Sequence, residues 1–314
     1  VLLTGDTEAI LRALRDCGHD TIPRGMEIVH TTETVEMCDD PSKVFRHKKD
    51  TSRGVGLTLL RDGKADALVS AGSTGALLAG ATLITKRIRG IRRAAMAPVI
   101  PTTGGKAVLI DCGANAECTP EYLMQFAYLG SFYAGRVLGL ERPRVGLLNI
   151  GTEPSKGMEL QKAAHALLTQ AHEAGRIRFV GNIEGREAIS QGAADVLVTD
   201  GFTGNIFLKT VEGAASLFSH ALKDMLLGST KNKLAALLLK NSIGAFKKRF
   251  DANEVGGTAL LGISQPVIKA HGSSNAYAFF NAIRQAQVVA QADIVGDIAA
   301  NVAHMRLEPG EKEG

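Results

Sequence analysis

The stretch ADVLVTDGFTGNIFL, Ala194 to Leu208, decides the fold. A short apolar run ends in a polar loop with two glycines, and a helical pattern follows at once. The same order recurs in ADALVSAGSTGALLAG (Ala65 to Gly80), AVLIDCGANAECTPEYL (Ala107 to Leu123) and RVGLLNIGTEPSKGMEL (Arg144 to Leu160). IRFVGNIEGREAI (Ile177 to Ile189) and PVIKAHGSSNAYAFF (Pro266 to Phe280) complete the set. Strand, loop and helix in this order predict an α/β fold whose loops leave the carboxyl ends of parallel strands, where open sheets bind ligands. Small residues bare backbone N–H groups there, and the following helix adds a positive dipole end. The repetition predicts an anion-handling cleft built from several loops.

Composition narrows the classes. At 314 residues, 45% of them hydrophobic, the chain can bury a substantial core. A net charge of +4 is too weak to indicate nucleic acid, and no nucleic-acid-binding motif is present. No apolar stretch reaches the length of a membrane span. No signal peptide is visible, so a cytoplasmic protein is expected, with attachment to a membrane surface open. Cys17, Cys38, Cys112 and Cys118 form no C-x-x-C pair and read as reduced thiols. The histidines show no metal spacing, and no metal or cofactor is expected. Val1 opens a strand already running into its loop, which predicts further chain upstream.

The organisation reads as an α/β body over 1–213, a helical hairpin over 214–253, a return to the body over 254–304 and a polar tail over 305–314. The hairpin comprises two helical segments, Ala214 to Leu227 and Lys231 to Phe250, with no strand between them. A small-residue helix is predicted over Gly75 to Arg87 and one long helix from Ser274 to about Ala303.

Several loops carry chemistry. In TDGFTGN, the Asn205 amide could donate to a developing oxyanion or a phosphate oxygen, with Asp200, Thr203 and Gly204 beside it. The alternative is an Asx turn with an Asn helix cap. In GTEPSKG, Gly151 opens the loop. Lys156 near a helix start opposes the dipole unless an anion neutralises it; the alternative is an exposed surface lysine. Gly72, Ser73, Thr74 and Gly75 form a backbone cradle for phosphate or serve close packing. Asp111 and Asn115 could orient groups in the cleft, and His271 is an acid/base, a phosphate contact or a structural residue. No G-x-S-x-G elbow or Walker loop appears. The site reads as one that positions and polarises, without a protein nucleophile.

Two basic clusters remain. Lys86, Arg87, Arg89, Arg92 and Arg93 crowd the nine residues from Thr85 to Arg93, and six cations lie between Lys231 and Arg249 with no acid among them. Each is a solvated face, or a docking surface for an acidic protein in the first case and anionic lipid in the second. In the hairpin Leu234, Leu237, Leu238, Ile243 and Phe246 would meet a membrane surface or a second copy of the chain.

Taken in order, SAGSTGAL, DCGANAE, PRVGLLNIGTEPSKGMEL, ADVLVTDGFTGNIFLKTVEG and VIKAHGSSNAYAFFNAIRQA resemble the phosphate acyltransferase family of the PlsX type. The resemblance implies a layered fold like that of isocitrate and isopropylmalate dehydrogenases and of phosphotransacetylase. It implies attack of inorganic phosphate on an acylated acyl carrier protein, giving a fatty acyl-phosphate for phospholipid synthesis. It ties Lys156 and Asn205 to catalysis and implies a homodimer that associates peripherally with membranes. Ser73 stands where the family usually has Asn, and family members begin with a further strand and a DAMGGD-like loop. Other readings are a phosphotransacylase using short-chain acyl-CoA and a non-catalytic carrier-protein or membrane scaffold. A dehydrogenase lacks its G-x-G-x-x-G motif here.

Overall fold

The computed structural model describes residues 1–36, 38–41, 43–250, 254 and 256–305. The side chains of 247–250 and the predicted tail beyond 305 lie outside the described residues. The strands are β1 (Leu2–Gly5), β2 (Glu27–His30), β3 (Leu68–Ser70), β4 (Ala95–Ala97), β5 (Val99–Thr102) and β6 (Gly105–Ile110). They continue with β7 (Arg144–Asn149), β8 (Arg178–Glu184), β9 (Val196–Val198), β10 (Gly257–Leu261) and β11 (Val267–Ala270). The helices are α1 (Thr7–Asp16), α2 (Val44–His47), α3 (Ser52–Arg61), α4 (Thr74–Gly80), α5 (Pro120–Leu138) and α6 (Glu159–Glu173). Then come α7 (Gly185–Ser190), α8 (Gly201–Leu227), α9 (Thr230–Leu238), α10 (Lys240–Phe250), α11 (Ala276–Gln291) and α12 (Ile294–Asn301).

Among the described residues three sheets form, in the orders β1-β2, β3-β11-β10-β4 and β5-β6-β9-β7-β8. The run β6-β9-β7-β8 is wholly parallel, so its four carboxyl ends share one edge. β3 and β11 are also parallel to each other. Between these groups the antiparallel strands β10, β4 and β5 intervene. The bonds from Cys112 N–H to the Met96 carbonyl and from Leu109 N–H to the Pro98 carbonyl carry the antiparallel pairing of β6 onto the β4–β5 run. By this ladder, β3 and β11 run opposite to β6.

The parallel strands are apolar on both faces because helices cover both. Val108, Ile110, Val145, Val196 and Val198 pack with α5 and α6 in the main core. Leu109, Leu197 and Ile183 face a second cluster with Ala188 of α7. Gly130 of α5 allows a close approach: a Cβ there would lie 2.5 Å from Val196. A third cluster joins Leu57 and Leu60 of α3, Leu77 of α4, Leu260 and Val267.

The helical bounds differ from expectation in three places. α8 runs unbroken for 27 residues from Gly201, so the expected division at 213/214 falls within one helix. The segment after α4 is a π-helical turn, Ala81–Thr85, ended by Lys86 at φ 73°. The predicted long helix from Ser274 breaks at Asp293, whose φ of 46° ends α11's direction and whose carboxylate caps α12. No described helix is long and apolar enough to cross a membrane.

Candidate active site

Asp111, at the end of β6, organises the parallel edge. Its Oδ1 accepts from the N–H groups of Met96, Cys112 and Ala114 at 2.9, 2.6 and 3.2 Å. Its Oδ2 accepts from the Asn115 backbone at 2.6 Å and side-chain amide at 3.0 Å. Burial pushes the Asp111 carboxyl up, against the opposing pull of these donors. The Asn115 amide also donates to the Ala94 carbonyl at 2.8 Å. Both residues are therefore engaged in holding the loop, and α8 starts on top of it. Gly201 N–H donates to the Asn115 carbonyl at 2.8 Å. A Cβ on Gly204 would lie 2.0 Å from the Asp111 carbonyl oxygen, so only glycine fits there.

Asp200 supplies the α8 cap. Its Oδ1 accepts from Thr203 N–H and its Oδ2 from the Thr203 hydroxyl, each at 2.8 Å. The Asx-turn alternative is thus realised by Asp200, and Asn205 lies one turn inside the helix. Asn205 is exposed, beside Gly113 of the Asp111 loop. Among the described residues its amide has no hydrogen-bond partner.

The Lys156 loop follows β7, which neighbours β9 directly. Adjacent strands stand about 4.8 Å apart, so this loop leaves the sheet next to the start of α8. Asn149 holds it through the Lys156 carbonyl at 3.1 Å, and Asn182 of β8 through the Glu153 carbonyl at 2.7 Å. Gly151 lies against the Lys156 stem. The Lys156 ammonium is exposed, with only a 3.9 Å approach from the equally exposed Glu153. Such a contact is weak in water.

The Gly72 and His271 loops form a second group, at the ends of β3 and β11. Ser73 caps α4 loosely, at 3.5 Å from Ala76 N–H, and Thr74 and Gly75 begin that helix. His271 is exposed, with Nδ1 2.7 Å from the Ser273 hydroxyl, in a local turn. No hydrogen bond or ion pair among the described residues joins this group to the Asp111, Gly151 and Asp200 loops.

Lys86, Arg87, Arg89, Arg92 and Arg93 are all exposed. Their loop is tied to the carboxyl end of β10 through Ile88 N–H to the Gly262 carbonyl. It walls a groove of about 690 Å³ with Glu121 and Tyr122. Arg93 lies 5.7 Å over the Tyr122 ring, and Arg92 meets Glu121 at 3.4 Å.

Sequence reasoning passed over four apolar side chains around the parallel edge. Ile150, Met158, Phe202 and Ile206 are 81%, 69%, 64% and 52% exposed. Their signal was large apolar residues inside otherwise polar glycine loops. Burial pushes the Cys112 and Cys118 thiols up to about 12, which leaves them inert as nucleophiles. No cluster suited to a metal occurs among the described residues.

Among solved structures, the EutD phosphotransacetylase of Staphylococcus aureus matches 92% of this chain and 85% of its own, at TM-score 0.58 and 20% identity. A phosphotransacetylase of Streptococcus pyogenes matches 92% and 84%, at TM-score 0.60 and 20% identity. These likenesses define the class: the layered α/β fold of the phosphotransacetylases. The model of the family described as "Fatty acid synthesis protein" matches residues 1–296. Phosphate acyltransferases of Thermoanaerobacterium thermosaccharolyticum and Lysinibacillus sphaericus are each 46% identical, over 279 and 284 residues. The matches cover 89% and 90% of this chain and 82% and 84% of theirs. The chain belongs to the phosphate acyltransferase family.

Proposed function

We propose that Lys156 and Asn205 act together at the β7–β9 edge in transfer of an acyl group from acyl-acyl carrier protein to inorganic phosphate. One observation carries this: the exposed Lys156 ammonium, met only by an exposed carboxylate at 3.9 Å, and the Asn205 amide, without a hydrogen-bond partner among the described residues, follow the neighbouring strands β7 and β9. A phosphate oxygen attacks the thioester carbonyl carbon, and the carbonyl becomes an oxyanion. The carbon–sulfur bond then breaks, the thiolate leaves and takes a proton, and an acyl-phosphate remains. Phosphate is the nucleophile, so no acyl-enzyme is needed. Lys156 holds the phosphate as a point charge, in line with the thioester. Asn205 donates to the oxyanion. Ile150, Met158, Phe202 and Ile206 offer the apolar surface that an acyl chain requires. The product serves phospholipid synthesis.

The basic segment from Lys86 to Arg93, whose Arg87, Arg92 and Arg93 line the groove, fits docking of the acidic carrier protein. The exposed residues Leu234, Leu237, Leu238 and Phe246 on α9 and α10, with half-buried Ile243, fit a peripheral membrane contact. Leu217 and Phe218 of α8 are about 70% exposed and fit a homodimer through the helical hairpin. The experiment that tests the catalytic assignment is turnover of Lys156→Ala and Asn205→Ala at subsaturating phosphate. Near-normal rates in both would remove it.

A further inference from the structure

The side chains beneath the Gly72 turn include two cations that the sequence reading did not connect. Strand alternation locates them. Leu68 and Val267 pack with Leu57, Leu60 and Leu77 under α3 and α4, whereas Val69, Ile268 and Ala270 face the larger core. Ser70 and Lys269, which are register partners, therefore lie on the α3 and α4 side at the ends of β3 and β11. Lys269 is 8% exposed. Its ammonium donates to the carbonyl of Ala270.

Arg53, in the first turn of α3, reaches the same place. Its guanidinium lies against Gly72, where an added Cβ would be 2.7 Å from Cζ, and Nη1 donates to the Ser73 carbonyl at 3.2 Å. Among the described residues no carboxylate forms an ion pair with either cation. Asp50, just before α3, accepts from Thr32, and Glu33 accepts from Asp50 N–H; Asp39 and Asp40, next to the Pro41 that packs on Gly75, pair with Lys48 and Lys43. Burial, and the Arg53 charge second, draw the Lys269 ammonium below the usual lysine range. Lys269 is withdrawn from water and Arg53 only partly so, and two neighbouring like charges gain from a counter-charge. The Ser70 hydroxyl, which accepts from Gly72 N–H at 3.3 Å, adds a group able to donate there.

We propose that Arg53 and Lys269 form a binding site for a phosphoryl oxyanion, separate from the groups at Lys156. The guanidinium fork suits two phosphate oxygens and the ammonium supplies a point charge. Gly72 keeps the turn thin enough for the fork to lie against it. The ligand is the free phosphate anion or a phosphate ester, since both present the same oxygens. This site stands apart from the assignment of Lys156 and Asn205, and its test separates the two.

The test is calorimetric titration with sodium phosphate and, separately, sodium diethyl phosphate, at constant ionic strength in chloride. The proteins are wild type, Lys269→Met, Arg53→Gln and Lys156→Ala, each also melted with and without phosphate. Both Lys269→Met and Arg53→Gln should weaken phosphate binding at least about tenfold. Lys156→Ala should keep that binding whatever happens to its turnover. Phosphate should raise the melting temperature of wild type and Lys156→Ala, and that of Lys269→Met by clearly less, the remainder being phosphate held at Lys156. Tighter binding of phosphate assigns the free anion; tighter binding of diethyl phosphate assigns an ester. Wild-type phosphate binding in both Lys269→Met and Arg53→Gln would overturn the site. So would loss of all phosphate binding in Lys156→Ala alone, or a Lys269→Met protein that melts lower with an unchanged phosphate response.

Discussion

The backbone N–H of Gly201 donates to the carbonyl of Asn115 at 2.8 Å, joining the first residue of α8 to the loop after β6. This bond sets the height of α8 above the sheet and hence the position of Asn205 one turn later. The same contact brings Gly204 onto the Asp111 carbonyl. Local backbone contacts thus fix the geometry of an amide that has no hydrogen-bond partner among the described residues.

Replacing Lys156 or Asn205 with alanine should lower phosphate-dependent acyl-phosphate formation while leaving melting unchanged. Loss of one charged or oxyanion contact costs about 2–4 kcal/mol, or roughly 30- to 1000-fold in rate. Rate measurements at low phosphate, paired with thermal melts, check both halves. A lowered melting temperature equal in both variants would reassign them to structure.

Gly204→Ala should destabilise strongly, by about 3 kcal/mol or more, since backbone must move to admit the methyl group. Gly213→Ala on the same helix meets nothing within 4 Å and should be neutral or slightly stabilising. Urea unfolding of the two variants provides the contrast. Equal midpoints would show that α8 is not seated on the Asp111 loop as described.

Acid stability should depend on Arg144 and Asp195. Burial alone would raise the Asp195 carboxyl, but the paired guanidinium and the Arg144 N–H outweigh it and hold it below the usual carboxylate range. A depressed folded pKa contributes stability above the unfolded value, about 4, and loses it as pH falls through the folded value. Arg144→Met should therefore unfold at a higher pH than wild type in an acid titration followed by circular dichroism. An unchanged acid midpoint would mean that this partly exposed pair contributes nothing.

Charge reversal at Arg92 and Arg93 to Glu should raise KM for the carrier-protein substrate more than KM for phosphate. The wild-type KM for the carrier should also rise with salt, because steering by exposed charges is screened. Equal changes in both constants would leave these arginines as a solvated face.

Leu238→Glu should abolish flotation with anionic liposomes while light scattering still reports a dimer. Leu238 is 81% exposed and lies on a hairpin whose charges between Asp224 and Asp251 are all positive. No liposome binding by wild type, together with loss of the dimer in the variant, would make the hairpin a subunit contact.

Much of the fold was legible because local signals agreed. The stretch Ala194 to Leu208 became β9, a loop capped by Asp200 and the start of α8, in the order its pattern predicts. The short strands β4, β5 and β10 were not read, since runs as brief as AMA, VIPT and GTALL acquire strand character only from distant partners. Gly213 suggested a helix boundary where none exists, because an exposed glycine weakens a helix without ending it. The break at Asp293 was hidden, as aspartate tolerates a left-handed backbone without announcing it. At the site, the loops were legible from their glycines. The free amide of Asn205 was not, since its availability depends on Asp200 having taken the cap. Lys269 left a faint trace, a lysine inside the apolar run PVIKA.

A helix of 27 residues is about 40 Å long. α8 is clamped at one end by two glycines and leads at the other into the greasy, positively charged tip. Any tilt of α8 would therefore pivot beside Asn205: a few degrees would swing the tip by a few ångströms and barely shift the clamped amide.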